Sequence, residues 1–328
     1  MQSIKSILVC GVLLAIFAAE AQAVMMNWSA VGNPGNANDP ADGDNQTAGI
    51  QNFGAVPYVY NIGTYDVTAI QYVEFLNAKD PTGANTLGLY NIEMSNASFG
   101  GVSFTAGNLP GSKYSVISGR GNHPANSTSW YDAIRFSNWL NNGQGSGDTE
   151  TGAYTLGILG DNGVPINPPL THNAGARIWL PTENEWYKAA FYNPATNKYF
   201  PYATSDTPIP SLPSALPNHA NFNGAVDAPT NVGAYSGTKS PYGAFDMAGN
   251  VRQWNEAFNG SFRGLRGGHF LSTSTDLRSS SRILAFADNG DSEHGFRLAS
   301  AANVPEPSTG VLAVIAGAML WWWRKRFK

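Results

Sequence analysis

Cysteine is almost missing from this chain: one of 328 residues, Cys10. That scarcity excludes a disulfide scaffold, a thiolate-rich zinc or iron–sulfur site, and any mechanism that needs two thiols. Charged residues are also few, at 13%, and no basic patch in the body of the chain marks a nucleic-acid surface. The sequence shows no internal repeat. Glycine and proline, by contrast, are abundant, and 36 and 20 of them are too many for a helical bundle. A hydrophobic share of 42% with nine tryptophans is enough for a substantial core and argues against a disordered chain.

Both ends read as addresses. Residues 1–23 have a positive Lys5, an apolar stretch from Ile7 to Ala19 and the small-x-small site Ala21-Gln22-Ala23, the pattern of a secretory signal. Cleavage after Ala23 removes Cys10 and leaves a mature chain with no thiol. At the other end, Val304-Pro305-Glu306-Pro307-Ser308 leads into an apolar run from Thr309 to Trp323 and then Arg324-Lys325-Arg326-Phe327-Lys328. The run is shorter than the roughly 20 residues of an ordinary membrane span, and the basic cluster would stay cytoplasmic. Residues 301–328 resemble a bacterial PEP-CTERM sorting signal with a short transmembrane helix. The resemblance implies an exosortase-type partner, removal of the tail, transient membrane anchoring and delivery to the cell surface or an exopolysaccharide matrix. A simple membrane anchor is the alternative reading.

The two termini carry Lys5, Arg324, Lys325, Arg326 and Lys328 against Glu20 and Glu306, which leaves 14 basic and 21 acidic residues between them, a net charge of −7. Such an acidic exported domain suits soluble ligands or divalent cations. Residues 24–55 are rich in Gly, Asn, Asp and Pro and read as a loose leader. Three helices then share one start signal, a hydroxyl N-cap with a side-chain acceptor three residues on. They begin at Thr68 with Gln71, Ser129 with Asp132, and Thr182 with Glu185. In the first, Ile70, Val73 and Leu76 repeat at helical spacing and predict one buried face. In the second, Gly143 marks the stop. Short strands are expected at Ala176–Leu180, Phe262–Arg266 and Gly295–Ala299. Residues 144–175 and 193–241 are long polar loops of the kind that are usually functional or held by something extra.

Several segments together resemble one family. Ile62-Gly63-Thr64-Tyr65-Asp66-Val67-Thr68 and Ser129-Trp130-Tyr131-Asp132-Ala133 match its first two helical entries. Arg177-Ile178-Trp179-Leu180-Pro181-Thr182-Glu183-Asn184-Glu185-Trp186 matches its "RLPTEAEWE" signature with Trp179 as an extra residue. Tyr242-Gly243-Ala244-Phe245-Asp246-Met247-Ala248-Gly249-Asn250-Val251 matches "YGLYDMAGNVWEW", which ends here as Arg252-Gln253-Trp254. Leu265-Arg266-Gly267-Gly268-His269-Phe270, Arg278, Arg282 and Gly295-Phe296-Arg297-Leu298-Ala299 match its "LRGGSW…R…R…GFRLA" ending. The chain over 56–300 is thus similar to the formylglycine-generating-enzyme, or sulfatase-modifying-factor, family. The resemblance implies a single irregular α+β domain related to the C-type-lectin fold, with little regular secondary structure.

It also implies where chemistry should sit. The family's oxidases hold copper with two cysteines after the "RGGSW" motif, and those positions here are Ser272 and Leu277. A serine hydroxyl is a poor copper ligand and leucine cannot ligate, so copper and formylglycine-generating activity are not expected. His269 and His294 are the candidates for a replacement metal site in the same groove, set against a reading as hydrogen-bonded loop histidines. A Ser272, His269 and Asp276 triad lacks a nucleophile-elbow motif. The resemblance further implies calcium, held in a first site by the Asp246 carboxylate, the Gly249 and Val251 carbonyls and Gln253 in place of the usual Glu. A second site would use Asn221, the Phe222 carbonyl and Asp227. Arg266, Arg282 and Arg297 read as structural anchors more than as an anion site, and Trp130, Trp139, Trp186 and Trp254 as core. The expected function is a surface- or matrix-associated binding module for a glycan or protein partner. The alternative is an envelope oxidoreductase with a non-cysteine metal.

Overall fold

A computed structural model describes residues 23–41, 43–44, 50–204 and 211–303. Apart from Ala23 and residues 301–303, the two terminal signals expected above lie outside the described residues. No helix among the described residues is long and apolar enough to cross a membrane.

In chain order the elements are β1 (Trp28–Val31), β2 (Tyr60–Gly63), α1 (Ala69–Lys79), β3 (Val102–Phe104), β4 (Tyr114–Val116) and α2 (Trp130–Asn141). Then follow β5 (Ile178–Trp179), α3 (Glu183–Phe191), β6 (Tyr192–Asn193), β7 (Lys198–Tyr199), β8 (Arg252–Asn259) and β9 (Phe262–Arg266). The chain closes with β10 (Ile283–Phe286), β11 (His294–Gly295) and β12 (Ala299–Ala301). This is an α+β chain with little regular structure. One sheet has the order β1-β2-β12-β5 and a second β10-β9-β8-β11. The second sheet is antiparallel except where β11 runs parallel to β8, which sets His294 opposite Arg252.

All three helices begin at complete capping boxes, with Thr68, Ser129 and Thr182 as N-caps. Each such cap contributes about 1 kcal/mol, so packing supplies most of the helices' stability. α1 buries Tyr72, Val73, Phe75 and Leu76, whereas Ile70, expected on the same face, is 48% exposed. The reason is rotation: Ala69 and Tyr72 occupy the inward positions and turn Ile70 outward. Rings of Tyr72, Phe75, Phe136, Trp139 and Phe296 interlock between α1, α2 and the chain leading to β12. Trp130, Trp139, Trp186 and Trp254 are all buried, in line with their reading as core.

Two expectations differ in detail. The segment 24–55 is more than a leader, because it supplies the edge strand β1, which pairs with β2 from Trp28 opposite Gly63 to Val31 opposite Tyr60. The strand expected over 295–299 is split into β11 and β12, since between them Phe296, Arg297 and Leu298 turn fully into the interior. The irregular segment 144–175 is held by buried side chains that bond its backbone. Asn138 Nδ2 donates to the carbonyls of Thr149 and Tyr154, and Arg135 reaches Glu150 and the Gly163 carbonyl. Side chains that satisfy loop backbone in this way replace the ladders of regular structure.

Candidate functional site

The groove positions converge where β8, β11 and the turn after β9 meet. Gly267 and Gly268 both take positive φ, +94° and +69°, which turns the chain sharply out of β9. That turn brings His269 N–H to Ser272 Oγ at 3.1 Å and Phe270 N–H to the Asn250 carbonyl at 3.0 Å. Arg252, at the start of β8, donates from Nη1 to Glu293 Oε2 at 2.7 Å and from Nη2 to Ser272 Oγ at 3.4 Å. His269 Nε2 lies 3.3 Å from the same Glu293 oxygen. The buried His269, His294 and Ser272 and the partly exposed Arg252 and Glu293 therefore form one cluster.

Burial, reinforced by the Arg252 charge, pushes the His269 imidazole down to about 3. It is neutral at physiological pH, so its contact with Glu293 is not an ion pair. Its Nδ1 then accepts from Leu271 N–H at 3.4 Å. His294 is also held below its ordinary value by burial. Its ring packs edge-on against Trp254 at 5.0 Å, with Nδ1 facing the Asn289 carbonyl at 3.4 Å. Burial raises the Glu293 carboxyl, with Arg252 opposing the rise. Among the described residues no three His, Cys, Asp or Glu side chains are grouped closely enough to hold a metal.

The two positions expected to carry cysteine are filled otherwise. Ser272 Oγ accepts from His269 N–H and Arg252, and Leu277 is buried against the Gly268 turn. The three residues weighed as a triad do not form one. The His269 ring faces Glu293, and Asp276 Oδ2 accepts from Thr273 N and Oγ1 as a capping carboxylate.

The oxygen-rich stretches behave differently from each other. At the first, Gln253 Oε1 accepts from Trp186 Nε1 at 2.7 Å and Arg297 Nε at 2.6 Å, while Nε2 donates to the Asp246 carbonyl at 2.7 Å. Both lone-pair directions of that oxygen are committed, so Gln253 does not fit as a cation ligand. Asp246 accepts from Gly233 N–H at 2.6 Å, and the protein packed around it pushes its carboxyl up to about 6. Gly249 and Asn250 form a tight left-handed corner, with Gly249 N–H on the Gly267 carbonyl and Asn250 N–H on the Asn221 carbonyl. A Cβ on Gly249 would lie 2.3 Å from that Asn221 oxygen, so only glycine fits. At the second stretch, Asn221 is fully buried and its Oδ1 has no hydrogen-bond partner. An unpaired buried amide oxygen suits a hard cation held with the Phe222 carbonyl and Asp227.

Each of the three arginines is consumed by protein. Arg266 bonds Glu183 and the carbonyls of Ser279, Ser281 and Gly43, and Arg282 pairs with Asp44 and Glu183. Arg297 bonds Gln253, Asp66 and the carbonyls of Gly63 and Phe245. Sequence reasoning missed Arg252 and Glu293. The signal for the first was present, since Arg252 stands where the family signature has Trp.

A family model for the sulfatase-modifying factor enzyme 1-like domain matches residues 34–302. The chain belongs to this family. Hercynine oxygenase of Mycobacterium tuberculosis is 33% identical over 152 residues, covering 36% of this chain and 33% of that protein. The same-named protein of Mycolicibacterium smegmatis is 40% identical over 86 residues, 26% of this chain and 18% of its own length. The family member described here thus spans a third or less of these curated relatives. Among solved structures, Treponema denticola variable protein 1 is similar with a TM-score of 0.53 at 20% identity, covering 86% of this chain and 97% of that one. That likeness supports the irregular α+β fold.

Proposed function

We propose that this family member is an exported, surface- or matrix-associated protein whose domain binds a ligand and does not catalyse. The observation that carries the reading is the pair of positions 272 and 277. Ser272 is spent on Arg252 and a backbone N–H, and Leu277 is core, so the loop is built for packing where the family's oxidases keep thiolates. The binding face is the groove beside residues 265–297. There a cavity of about 510 Å³ runs between Asn91, Glu93 and the 288–293 segment, with Asp291 and Glu293 in its wall. Its acidic lining favours a cationic patch of an envelope protein or a polysaccharide presented with cations. The terminal signals support export, an exosortase-type partner and a surface or matrix destination. Calcium bound at Asn221, the Phe222 carbonyl and Asp227 would stiffen the 221–227 loop through oxygen ligands.

A second reading, an envelope oxidoreductase with a non-cysteine metal, draws on the partial likeness to the hercynine oxygenases. Elemental analysis of purified residues 24–304, after exposure to calcium, ferrous iron and cuprous copper in turn, separates the two. Retention of calcium alone supports the binding module. Stoichiometric iron or copper that survives dialysis overturns it in favour of the oxidoreductase.

A further inference from the structure

A separate cavity of about 440 Å³ opens between the connection from β2 to α1, Asn122 and the Asn231–Val232 turn. Its volume lies within the roughly 300–1,000 Å³ of small-molecule sites. Its lining contains no Lys or Arg, and its one charged residue, Asp66, is already matched by Arg297 at 2.9 Å. A lining without free charge does not select an anion or a cation. It offers amides instead. The side chains of Asn27, Asn122 and Asn231 make no hydrogen bond to other described residues, and each carries two donors and an acceptor. Gln71, by contrast, is committed to Thr68 N–H and the Met25 carbonyl.

The same cavity has an apolar side. The Tyr65 ring is held flat by stacking on Phe245, at 5.4 Å between centroids and 16° between planes. Ile70, turned outward on α1, and Val232 complete that side. Asp66, only 1% exposed, closes the inner end through its Oδ1 contact with Arg297, so it puts no free charge into the cavity.

From this combination we infer that the cavity beside Asp66 is a binding site for an uncharged, hydroxyl-rich ring, the chemistry of a neutral sugar. Free amides meet the hydroxyls, and the Tyr65, Ile70 and Val232 side meets the C–H face. The site is distinct from the groove beside residues 265–297, and the inference holds whether or not that groove is catalytic.

The test is saturation-transfer NMR on the full-length chain with glucose, galactose, mannose and N-acetylglucosamine, and with glucuronate as the charged comparison. The Asn122→Ala/Asn231→Ala double variant changes two exposed side chains, so it keeps the fold, which its melting temperature verifies. The expected result is transfer to at least one neutral sugar, weakened about tenfold in the double variant, as two lost hydrogen bonds imply, with weaker transfer to glucuronate. No transfer to any neutral sugar, transfer unchanged in the double variant, or equal transfer to glucuronate overturns the inference. Transfer lost in Glu293→Gln and kept in the double variant also overturns it, and assigns the sugar to the 265–297 groove.

Discussion

Arg297 Nη2 meets Asp66 Oδ1 at 2.9 Å with neither side chain exposed. The same guanidinium holds Gln253 Oε1 and the carbonyls of Gly63 and Phe245, so one side chain ties β2, the 245–253 segment and the chain before β12 together. Replacing Arg297 with Met removes a donor from four acceptors at once, of which Gln253 Oε1 keeps a second donor in Trp186. The expected loss is about 3–5 kcal/mol in urea unfolding, the usual result of breaking a buried pair from one side. Adding Asp66→Leu to Arg297→Met should cost less than the sum of the two single changes. Strict additivity would show that the pair is not coupled.

Three buried carboxyls give the fold a pH dependence of defined sign. Burial is the first cause in each case, raising Asp66 to about 7 and Asp132 and Asp246 to about 6. Their unfolded values lie near 4, so the folded chain binds more protons between pH ~4 and ~7. Their contribution to stability is fully present below about pH 4 and is lost as pH rises through 6 to 7. Urea midpoints measured across that range should fall with rising pH, and Asp66→Asn should flatten the slope. A slope that Asp66→Asn leaves unchanged removes Asp66 from the account.

The features legible in the sequence were the local ones. Thr68, Ser129 and Thr182 announce their helices because a capping box closes within four residues. The family signatures carried the fold class, since the motifs keep their order along the chain. Long-range roles were not legible. Trp28–Val31 is a strand only because β2 lies beside it, and nothing within the Gly- and Asn-rich segment signals that pairing. Gln253 looks like an oxygen ligand until Trp186, 67 residues away, is seen donating to it. Glu293 gains its place from Arg252 and His269, which its neighbours in sequence do not indicate.

Position 277 distinguishes a loop that still accommodates a cysteine pair from one repacked around leucine. Leu277 is fully buried, and its Cδ1 lies 2.7 Å from where a Gly268 Cβ would stand. Leu277→Ala is therefore expected to destabilise the fold by about 2–5 kcal/mol, as truncations of buried leucine do. Ser272→Cys with Leu277→Cys should also lower the urea midpoint, because the second change opens the core. A double variant as stable as the parent would mean that the loop still accommodates the family's cysteine pair, and that its packing is not what the fold depends on.

His172 anchors the long 144–175 loop through Glu256. Its Nδ1 lies 2.8 Å from Glu256 Oε1, its N–H donates to the same oxygen at 2.9 Å, and its ring stacks on Trp179 at 4.8 Å. Tyr154 O–H adds a third donor to that oxygen at 2.6 Å. Burial works against the imidazolium, but the hydrogen bond and charge of Glu256, with Glu185 behind it, outweigh burial and raise the histidine above its ordinary value. A raised folded value means that the stabilisation is fully present below the unfolded value of about 6.5. It is lost as pH rises through the folded value. The difference in urea midpoint between the parent and His172→Gln should therefore be larger at about pH 6 than at about pH 9. Proteolysis within 144–175 should follow the same order, with the parent loop more resistant at the lower pH. A midpoint difference that is constant across this range would place the role of His172 in stacking on Trp179, leaving the charge on the ring without a part in holding the loop.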